Sequence, residues 1–264
     1  MISKSWFGLK FSSNEKFLYA SAGNDNQILK YTVKNDKLIL TDSLVLGAKW
    51  PNKISPAGIE TDDARQLMYV VTKEDSSLYI INLETKKVLS KTMLQGEAYS
   101  CKLSNDKREL YISCWGCDKL IVFDTEKRSV INEIPVGDNP NDICLSKNGK
   151  YLFVANANDN SVSVIDLRKQ TVLETLNAAL YPNSPSGSTS NGVALSDDEK
   201  TLYIANADNN CLAVFDVARP GFSKSKGFIP VGWYPTNIKV TGNKIFVANG
   251  KGFLQKLIHM VQIL

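Results

Sequence analysis

Residues 139–176 read NPNDICLSKNGKYLFVANANDNSVSVIDLRKQTVLETL, and this segment contains one complete structural unit of the chain. Four runs alternate apolar with polar residues and are rich in Val, Ile, Phe and Tyr: DICLS, YLFVAN, SVSVID and TVLETL. Such alternation is typical of half-buried β-strands. The segments between the runs contain Asn, Asp, Gly and Lys, which favour tight turns. The segment therefore predicts four consecutive antiparallel strands.

The same unit recurs along the chain. The aromatic residue of its second strand occurs six times, at spacings of 50, 42, 42, 50 and 43 residues: Tyr19, Tyr69, Tyr111, Phe153, Tyr203 and Phe246. An Asn or Asp ends the third strand four times: Asn82, Asp124, Asp166 and Asp216. A repeat of this length with four strands is typical of a β-propeller blade. The sequence predicts an all-β propeller of four-stranded antiparallel blades over residues 1–252, with five full blades and part of a sixth.

Composition limits the classes of function. The chain has 264 residues, of which 43% are apolar and 22% charged, and its net charge is +4, which is ordinary for a globular protein. Lys and Arg are scattered through turns, whereas a nucleic-acid surface needs a basic stripe with aromatic residues. We therefore expect no nucleic-acid partner. No apolar run is long enough to span a membrane, and residues 1–6 lack the apolar core of a secretory signal.

Most familiar catalytic and metal-binding patterns are missing from the sequence. The sole histidine, His259, lies in an atypical C-terminal tail, so a Ser-His-Asp arrangement has no credible base. The Asn-rich and Asp-rich turns offer too few carboxylates for calcium. We expect no catalytic residue, no cofactor and no metal.

Five cysteines are present, and most lie inside strand patterns, where they resemble small buried apolar residues: Cys101, Cys114, Cys117, Cys144 and Cys211. Cys114 and Cys117 form a lone CxxC motif without a second pair. We interpret this motif as an irregular turn, with a local disulfide or a thiol metal site as the alternative.

Two insertions interrupt the repeat, at residues 46–56 and 178–191, and both connect a fourth strand to the next first strand. Because antiparallel strands alternate in direction, these connections emerge on the same face as the turns between second and third strands. Loops on a rigid scaffold commonly bind ligands. We therefore expect a protein or small-molecule ligand on this loop-rich face, contacted by Trp50, Lys53, Tyr99, Asn141, Asp142, Tyr181, Asn191, Trp233, Tyr234 and Asn237. The alternative is structural: the polar residues turn the chain and the aromatic rings cover loop backbone.

The fourth and fifth blades resemble the YVTN-type repeat family, through YLFVANANDNSVSVID and TLYIANADNNCLAVFD. SWFGLKFS near the start and VGWYPTNIKVTGNKIFVANGKG at residues 231–252 are similar to one subgroup. Its members are surface-layer-like propellers that precede an alkaline-phosphatase-like phosphoesterase domain in one polypeptide. The resemblance covers residues 5–252 and implies a seven-bladed ring and an exported parent protein.

Residues 253–264, FLQKLIHMVQIL, fit no blade pattern. Loss of one T from a coding sequence for the family-like run FSSKANPYGPNP produces this tail, so we expect residues 254–264 to be an out-of-frame extension of a truncated propeller. An unclosed ring exposes apolar blade faces. We expect the tail to cover part of that surface, or the chain to self-associate through it.

These observations favour a non-catalytic binding or scaffold module, whose loop-rich face meets a ligand or a neighbouring domain. One alternative is a propeller hydrolase or lactonase with a site in the axial funnel, built from Asn141, Asp142, Asn191 and Asn237. Another is an extracellular surface-layer or adhesion protein.

Overall fold

The structure is a computed structural model that describes residues 7–49, 51–181, 184–251 and 259–262. The strands of the first three blades are β1 Leu9–Phe11, β2 Phe17–Ser21, β3 Gln27–Lys34, β4 Lys37–Val45, β5 Pro56–Asp62, β6 Leu67–Thr72, β7 Ser77–Asn82, β8 Val88–Met93, β9 Ala98–Leu103, β10 Glu109–Cys114, β11 Lys119–Asp124 and β12 Ser129–Pro135. Those of the next three are β13 Pro140–Leu145, β14 Tyr151–Asn156, β15 Ser161–Asp166, β16 Thr171–Asn177, β17 Ser190–Leu195, β18 Thr201–Asn206, β19 Cys211–Asp216, β20 Lys224–Pro230, β21 Pro235–Thr241, β22 Lys244–Asn249 and β23 His259–Gln262.

Consecutive strands pair antiparallel in every sheet. In the described part of the chain, five sheets have four strands and the last sheet has three, β21 to β23. The first strand of each blade lies at one edge of its sheet. The predicted all-β fold is confirmed: the protein is a β-propeller of antiparallel blades.

Burial differs between the strands of a blade in a way that the sequence explains. The second and third strands, such as β14 and β15, are buried at nearly every position: β14 is a nearly continuous apolar run, and β15 alternates Val with the buried Ser161 and Ser163. The fourth strand, such as β16, alternates exposed with partly buried positions. Fully buried residues such as Tyr69 and Phe123 stabilise the fold by about 1.5–3 kcal/mol each relative to exposure.

The contacts divide the chain into two compact units. The N-terminal unit comprises residues 1–117 and 121–133, and the C-terminal unit comprises residues 118–120 and 134–264. Within the N-terminal unit, β5 packs against β1 and β9, and within the C-terminal unit β17 packs against β13 and β21. Each unit has its own apolar clusters, which include Tyr69 and Ile112 in the first unit and Phe153 and Ile204 in the second.

Asn and Asp side chains stabilise the turns. The residue that ends the third strand accepts backbone N–H groups from the following turn, as Asp166 does from Arg168 (3.0 Å) and Lys169 (3.1 Å). The residues Asn82, Asp124 and Asp216 make the same kind of bond. These side chains therefore hold the turn that follows each of these third strands.

The last strand differs from the sequence-based expectation. Although the tail was predicted to fit no blade, β23 pairs with β22 in a regular register that joins Val247 to His259 and Ile245 to Val261. Without a third strand, the outer edge of β22 would present unpaired backbone groups, which favour the addition of a strand. The out-of-frame origin of the tail stays a prediction.

The CxxC motif also differs from the preferred interpretation. Cys114 and Cys117 form a disulfide across the turn between β10 and β11, so the alternative of a local disulfide is the observed one. Cys101, Cys144 and Cys211 are free thiols.

Candidate functional site

The first insertion of the loop-rich face is held by one side chain of the N-terminal unit. Asn26, which adopts a left-handed conformation with φ 51°, is fully buried. Its amide nitrogen donates to the carbonyl groups of Ala48 and Asn52, both at 2.7 Å, and its Oδ1 accepts N–H groups from residues 54 and 55. Lys53 is exposed on the loop fixed in this way. Trp50 lies outside the described residues.

A cavity of about 470 Å³ opens beside this insertion. Its lining surface is about equally polar and apolar and combines three charged side chains with smaller residues: Ala22, Gly23, Asn24, Asp25, Ser55, Lys73 and Glu74. The volume lies within the range of small-molecule sites.

Tyr99 has a packing contact in the same unit. Its ring centroid is 4.2 Å from that of Phe7, and the two rings are tilted by 50°. This contact fits the structural alternative, in which aromatic residues cover backbone near the start of a first strand.

Three of the predicted polar residues meet in the C-terminal unit. Asn141 is buried on β13 and donates to Oδ1 of Asn191 on β17 at 2.7 Å. The two carboxylate oxygens of Asp142 accept backbone N–H groups, one from Ile143 (2.9 Å) and one from Val193 (3.1 Å). These bonds join the first strands of two neighbouring blades and give Asp142 a positioning role in the fold.

Asn237 lies where β21 packs against β17. A Cβ atom added at Gly192 would be 3.1 Å from the carbonyl oxygen of Thr236 and 3.2 Å from the Cα atom of Asn237. The two backbones therefore approach too closely for a larger residue to fit at position 192 without a shift.

The remaining aromatic residues of the predicted face divide into two groups. Tyr181 and Trp233 are 57% and 58% exposed. The backbone N–H of Tyr234 donates to Asn210 at 2.8 Å, and the Nζ of Lys251 lies 4.1 Å from the centroid of its ring. Lys53 and Tyr99 belong to the N-terminal unit, and the other seven described residues of the predicted set belong to the C-terminal unit.

The structure contains a charged cluster that the sequence reasoning missed. Glu60 on β5 is buried between two lysines of the neighbouring first strands: Lys10 lies 2.7 Å from its Oε2, and Lys102 lies 3.2 Å from its Oε1. The side chains of Lys10 and Lys102 are 25% and 39% exposed, so the lysines connect the buried carboxylate to solvent.

A signal for this cluster was present in the repeat. Lys10, Glu60 and Lys102 each pair with the tyrosine of the second strand of their blade: Tyr19, Tyr69 and Tyr111. They therefore occupy one column of the aligned blades. The predicted ligand face includes Asp142, which lies at the entry to its strand, but not Glu60, which lies further along its strand.

Other reactive groups near the cluster are inert. Burial raises the pKa of the Cys101 thiol well above its ordinary value, so Cys101 is not a ready nucleophile. Burial, followed by the charge of Asp63, raises the pKa of Tyr19 to about 12. In the part of the chain that the structure describes, no three His, Cys, Asp or Glu side chains converge on a metal position, and no helix has the length and apolar character of a membrane span.

Comparison with known sequences finds similarity over about a third of the chain. A model of the family described as "Lactonase, 7-bladed beta-propeller" matches residues 92–187. Antigen Lp49 of Leptospira interrogans is 32% identical over 96 residues, which are 36% of this chain and 21% of that protein. The chain thus aligns with only about a fifth of the length of this curated relative.

Comparison with solved structures gives similarity over nearly the whole chain. The periplasmic gluconolactonase PpgL of Pseudomonas aeruginosa has a TM-score of 0.81 at 17% identity, covering 94% of this chain and 79% of its own. A putative 6-phosphogluconolactonase of Bacteroides fragilis has a TM-score of 0.77 at 18% identity, covering 92% and 76%. Hydrazine synthase of Kuenenia stuttgartiensis has a TM-score of 0.63 at 14% identity, covering 100% and 97%. At these identities the likeness concerns the fold, and the chain has the fold of a β-propeller.

Proposed function

We propose that the protein is a propeller hydrolase that opens a cyclic ester, with Lys10, Glu60 and Lys102 at the centre of its site. The observation that carries the proposal is this buried carboxylate between two partly exposed ammonium groups on adjacent first strands. The lactonase match over residues 92–187 supports the reaction class. The names of two solved structures of the same fold, a gluconolactonase and a putative 6-phosphogluconolactonase, support it further.

The chemistry of lactone opening suits two fixed cations. When water adds to the ester carbonyl, negative charge develops on the carbonyl oxygen, and nearby cations held in place stabilise it. Glu60 accepts a hydrogen bond from each lysine and so fixes both ammonium groups. Since an ammonium group has three donors, the bond to Glu60 occupies one donor of Lys10. Lys10 and Lys102 would contact the substrate, and Glu60 would position them.

The product of the reaction also fits the cluster. Hydrolysis of a lactone gives a hydroxy acid, whose carboxylate pairs with ammonium groups. A polyhydroxylated lactone is the substrate class that we propose. The predicted polar residues Asn141, Asp142, Asn191 and Asn237 are proposed as a separate hydroxyl-binding group in the C-terminal unit.

The test is hydrolysis of a panel of aldonolactones, acyl lactones and aryl esters, measured as the initial rate above buffer. We expect turnover of an aldonolactone, and a loss of at least about a hundredfold in kcat/KM in Lys10→Met or Lys102→Met, the size typical of a lost oxyanion contact. Asp62→Asn and Lys107→Met are matched controls, because Asp62 and Lys107 form a second buried ion pair that also involves β5. These controls should keep kcat/KM within about threefold.

The outcomes separate the reaction from the site. No turnover of any lactone by the full chain would contradict the hydrolase proposal. Turnover that survives both lysine substitutions but is abolished by Asp142→Ala, with bound metal on analysis, would instead assign the chemistry to the C-terminal polar group.

A binding propeller without catalysis is the second candidate, as in the propellers fused to phosphoesterases that the sequence resembles. The exposed rings of Tyr181 and Trp233 favour it, because exposed aromatic side chains commonly anchor partners. A stable complex that is lost in Tyr181→Ser or Trp233→Ser, in a chain without lactone turnover, would support this candidate.

We also propose that the protein works in an oxidising compartment. The Cys114–Cys117 disulfide supports this, because disulfides persist outside the reducing cytosol. The periplasmic location in the name of PpgL agrees with it. Fractionation of the native host that found the protein only in the cytosol would contradict the proposal.

A further inference from the structure

The disulfide is an unusual feature among the turns that join second to third strands. In the turn between β6 and β7, the N–H of Ser76 donates to Lys73, and in the turn between β18 and β19 the N–H of Asn210 donates to Ala207. Neither turn contains a disulfide. The turn between β10 and β11 makes the same backbone bond, from Cys117 to Cys114 at 3.1 Å. The backbone hydrogen bond that closes this turn therefore forms in equivalent turns without a disulfide.

The disulfide contributes little to the stability of the fold. Stabilisation by a disulfide grows with the logarithm of the loop that it closes, and a sequence separation of three residues gives one of the shortest loops. The hairpin bonds of β10 and β11 already constrain this loop. A role in thiol chemistry therefore explains the cysteine pair better than a contribution to the free energy of unfolding does.

The two sulfur atoms differ in access. Cys114 is fully buried at the end of β10, whereas Cys117 is partly exposed. The Cys117 side chain packs against the apolar cluster of Tyr69 and Ile112 but is less buried than Cys114, so Cys117 is the more accessible of the two to an incoming thiolate and Cys114 is the leaving group. Thiol–disulfide exchange requires this kind of access to one sulfur.

The turn also organises neighbouring charged and backbone groups. Trp115 lies under the Nζ of Lys73, 4.9 Å from its ring centroid, and Lys73 lies 3.6 Å from Glu97. The N–H of Gly116 donates to the carbonyl of Glu97 at 3.1 Å, just before β9 begins. Lys73 lines the cavity beside the first insertion, so the turn is connected with the loop-rich face through Lys73.

We propose that Cys114–Cys117 is a thiol–disulfide exchange site whose reduction releases the Trp115 turn. The reductant is a dithiol, either a small molecule or a redox protein with two vicinal thiols. Its thiolate attacks the sulfur of Cys117 to form a mixed disulfide, and the Cys114 thiolate leaves and takes a proton. The second thiol of the reductant then displaces Cys117, so that the reductant becomes a disulfide and the pair gains two electrons and two protons.

The test uses the full chain and dithiothreitol as the probe. Without reductant, denatured protein should take up alkylating label at three cysteines, Cys101, Cys144 and Cys211. With dithiothreitol under native conditions, peptide mapping should show new label on Cys117, and on Cys114 because the released turn exposes it, while Cys101 and Cys211 stay buried and react at least about tenfold more slowly. Hydrogen exchange at residues 114–118 should accelerate on reduction, and the matched turn at residues 206–210 should not change.

Two results would overturn the proposal. One is label on all five cysteines of denatured protein without reductant, which means that the disulfide does not form. The other is reduction of the disulfide only under conditions in which Cys101 and Cys211 are also labelled. This result would mean that the disulfide becomes accessible only when the buried core opens. A Cys114→Ala/Cys117→Ala variant should show fast hydrogen exchange at residues 114–118 without reductant, and Cys211→Ala is its control. If the variant does not fold, the comparison of oxidised with reduced wild-type protein still tests the proposal.

Discussion

Asp62 is a buried carboxylate whose charge depends on its neighbours. It is 1% exposed and contacts Lys107 at 2.8 Å and Arg65 at 3.2 Å. Burial alone would raise its pKa, but the hydrogen bonds from Lys107 and from the backbone of Arg65 outweigh burial and hold the pKa below its ordinary value. The stability that Asp62 contributes is therefore complete above about pH 4, the pKa of an unfolded Asp, and is lost as the pH falls through the lower folded value.

We expect Asp62→Asn to lower the free energy of unfolding by about 1–3 kcal/mol at pH 7, because a buried charged hydrogen bond is lost. The difference from wild type should begin to shrink below about pH 4, where unfolded Asp62 becomes protonated, and should vanish as the pH falls through the lower pKa of the folded carboxylate. Urea unfolding between pH 7 and pH 3 measures both effects, with the exposed Asp36→Asn as control. A difference that stays constant across this range would contradict the assignment.

First strands pack backbone against backbone, and the glycines at these contacts form a graded series. An added Cβ would be 1.9 Å from the nearest atom at Gly8, 2.8 Å at Gly58 and 3.1 Å at Gly192, and the nearest atom is backbone in each case. Backbone cannot move aside as the end of a flexible side chain can. The severity of overpacking should therefore follow these distances.

Alanine at these positions should destabilise the fold in the order Gly8→Ala, Gly58→Ala, Gly192→Ala, with losses of about 1–3 kcal/mol for the tighter sites. Thermal unfolding monitored by circular dichroism gives the order. Equal melting temperatures for all three variants would contradict the predicted order, and melting temperatures equal to that of the wild type would show that the first strands can move apart without a loss of stability.

The loop anchor Asn26 gives a second prediction for a structural element. Asn26→Gly keeps the left-handed backbone but removes the four hydrogen bonds to the insertion, and it should cost about 1–3 kcal/mol. Hydrogen exchange at residues 48–55 should increase. Asn35→Gly is the matched control, because Asn35 has φ 50° but is exposed in the turn between β3 and β4. Equal exchange in the two variants would contradict the anchoring role.

The elements that the sequence predicts well are those with a local pattern. The spacing of Tyr69, Tyr111 and Phe153 predicts the blades, because each aromatic marks a strand with its own alternation. The cluster around Glu60 could not be recognised from any one blade, since its partners come from two others. The Cys114–Cys117 bond was underestimated for a different reason: CxxC spacing alone does not distinguish a turn from a disulfide.

For the molecule as a whole, we expect association through its exposed outer strands. The nine-residue β4 lies at the edge of its sheet and presents Leu38, Ile39 and Leu40, which are 44%, 48% and 56% exposed. A long apolar edge strand is a template for pairing with another chain. We expect this edge to drive concentration-dependent association.

Leu40→Lys should reduce light scattering at high protein concentration, because a charge on an edge strand blocks pairing. Its free energy of unfolding should stay within about 0.5 kcal/mol of wild type, since the site is exposed. Val130→Lys, on the outer strand β12, is the comparison variant. Unchanged association in Leu40→Lys would contradict a role for this edge.

The hydrogen bonds of Asn26 and Asn160 affect how the two insertions can vary in sequence and length. Asn26 binds the backbone N–H groups of residues 54 and 55 near the end of the first insertion, and Asn160 binds those of residues 187 and 188 in the second. The insertions are therefore anchored to the sheets at these positions. Longer loops add only a slowly growing entropic cost. The two insertions can therefore act as exchangeable cassettes, in which new recognition sequences are grafted while the blades beneath them remain as they are.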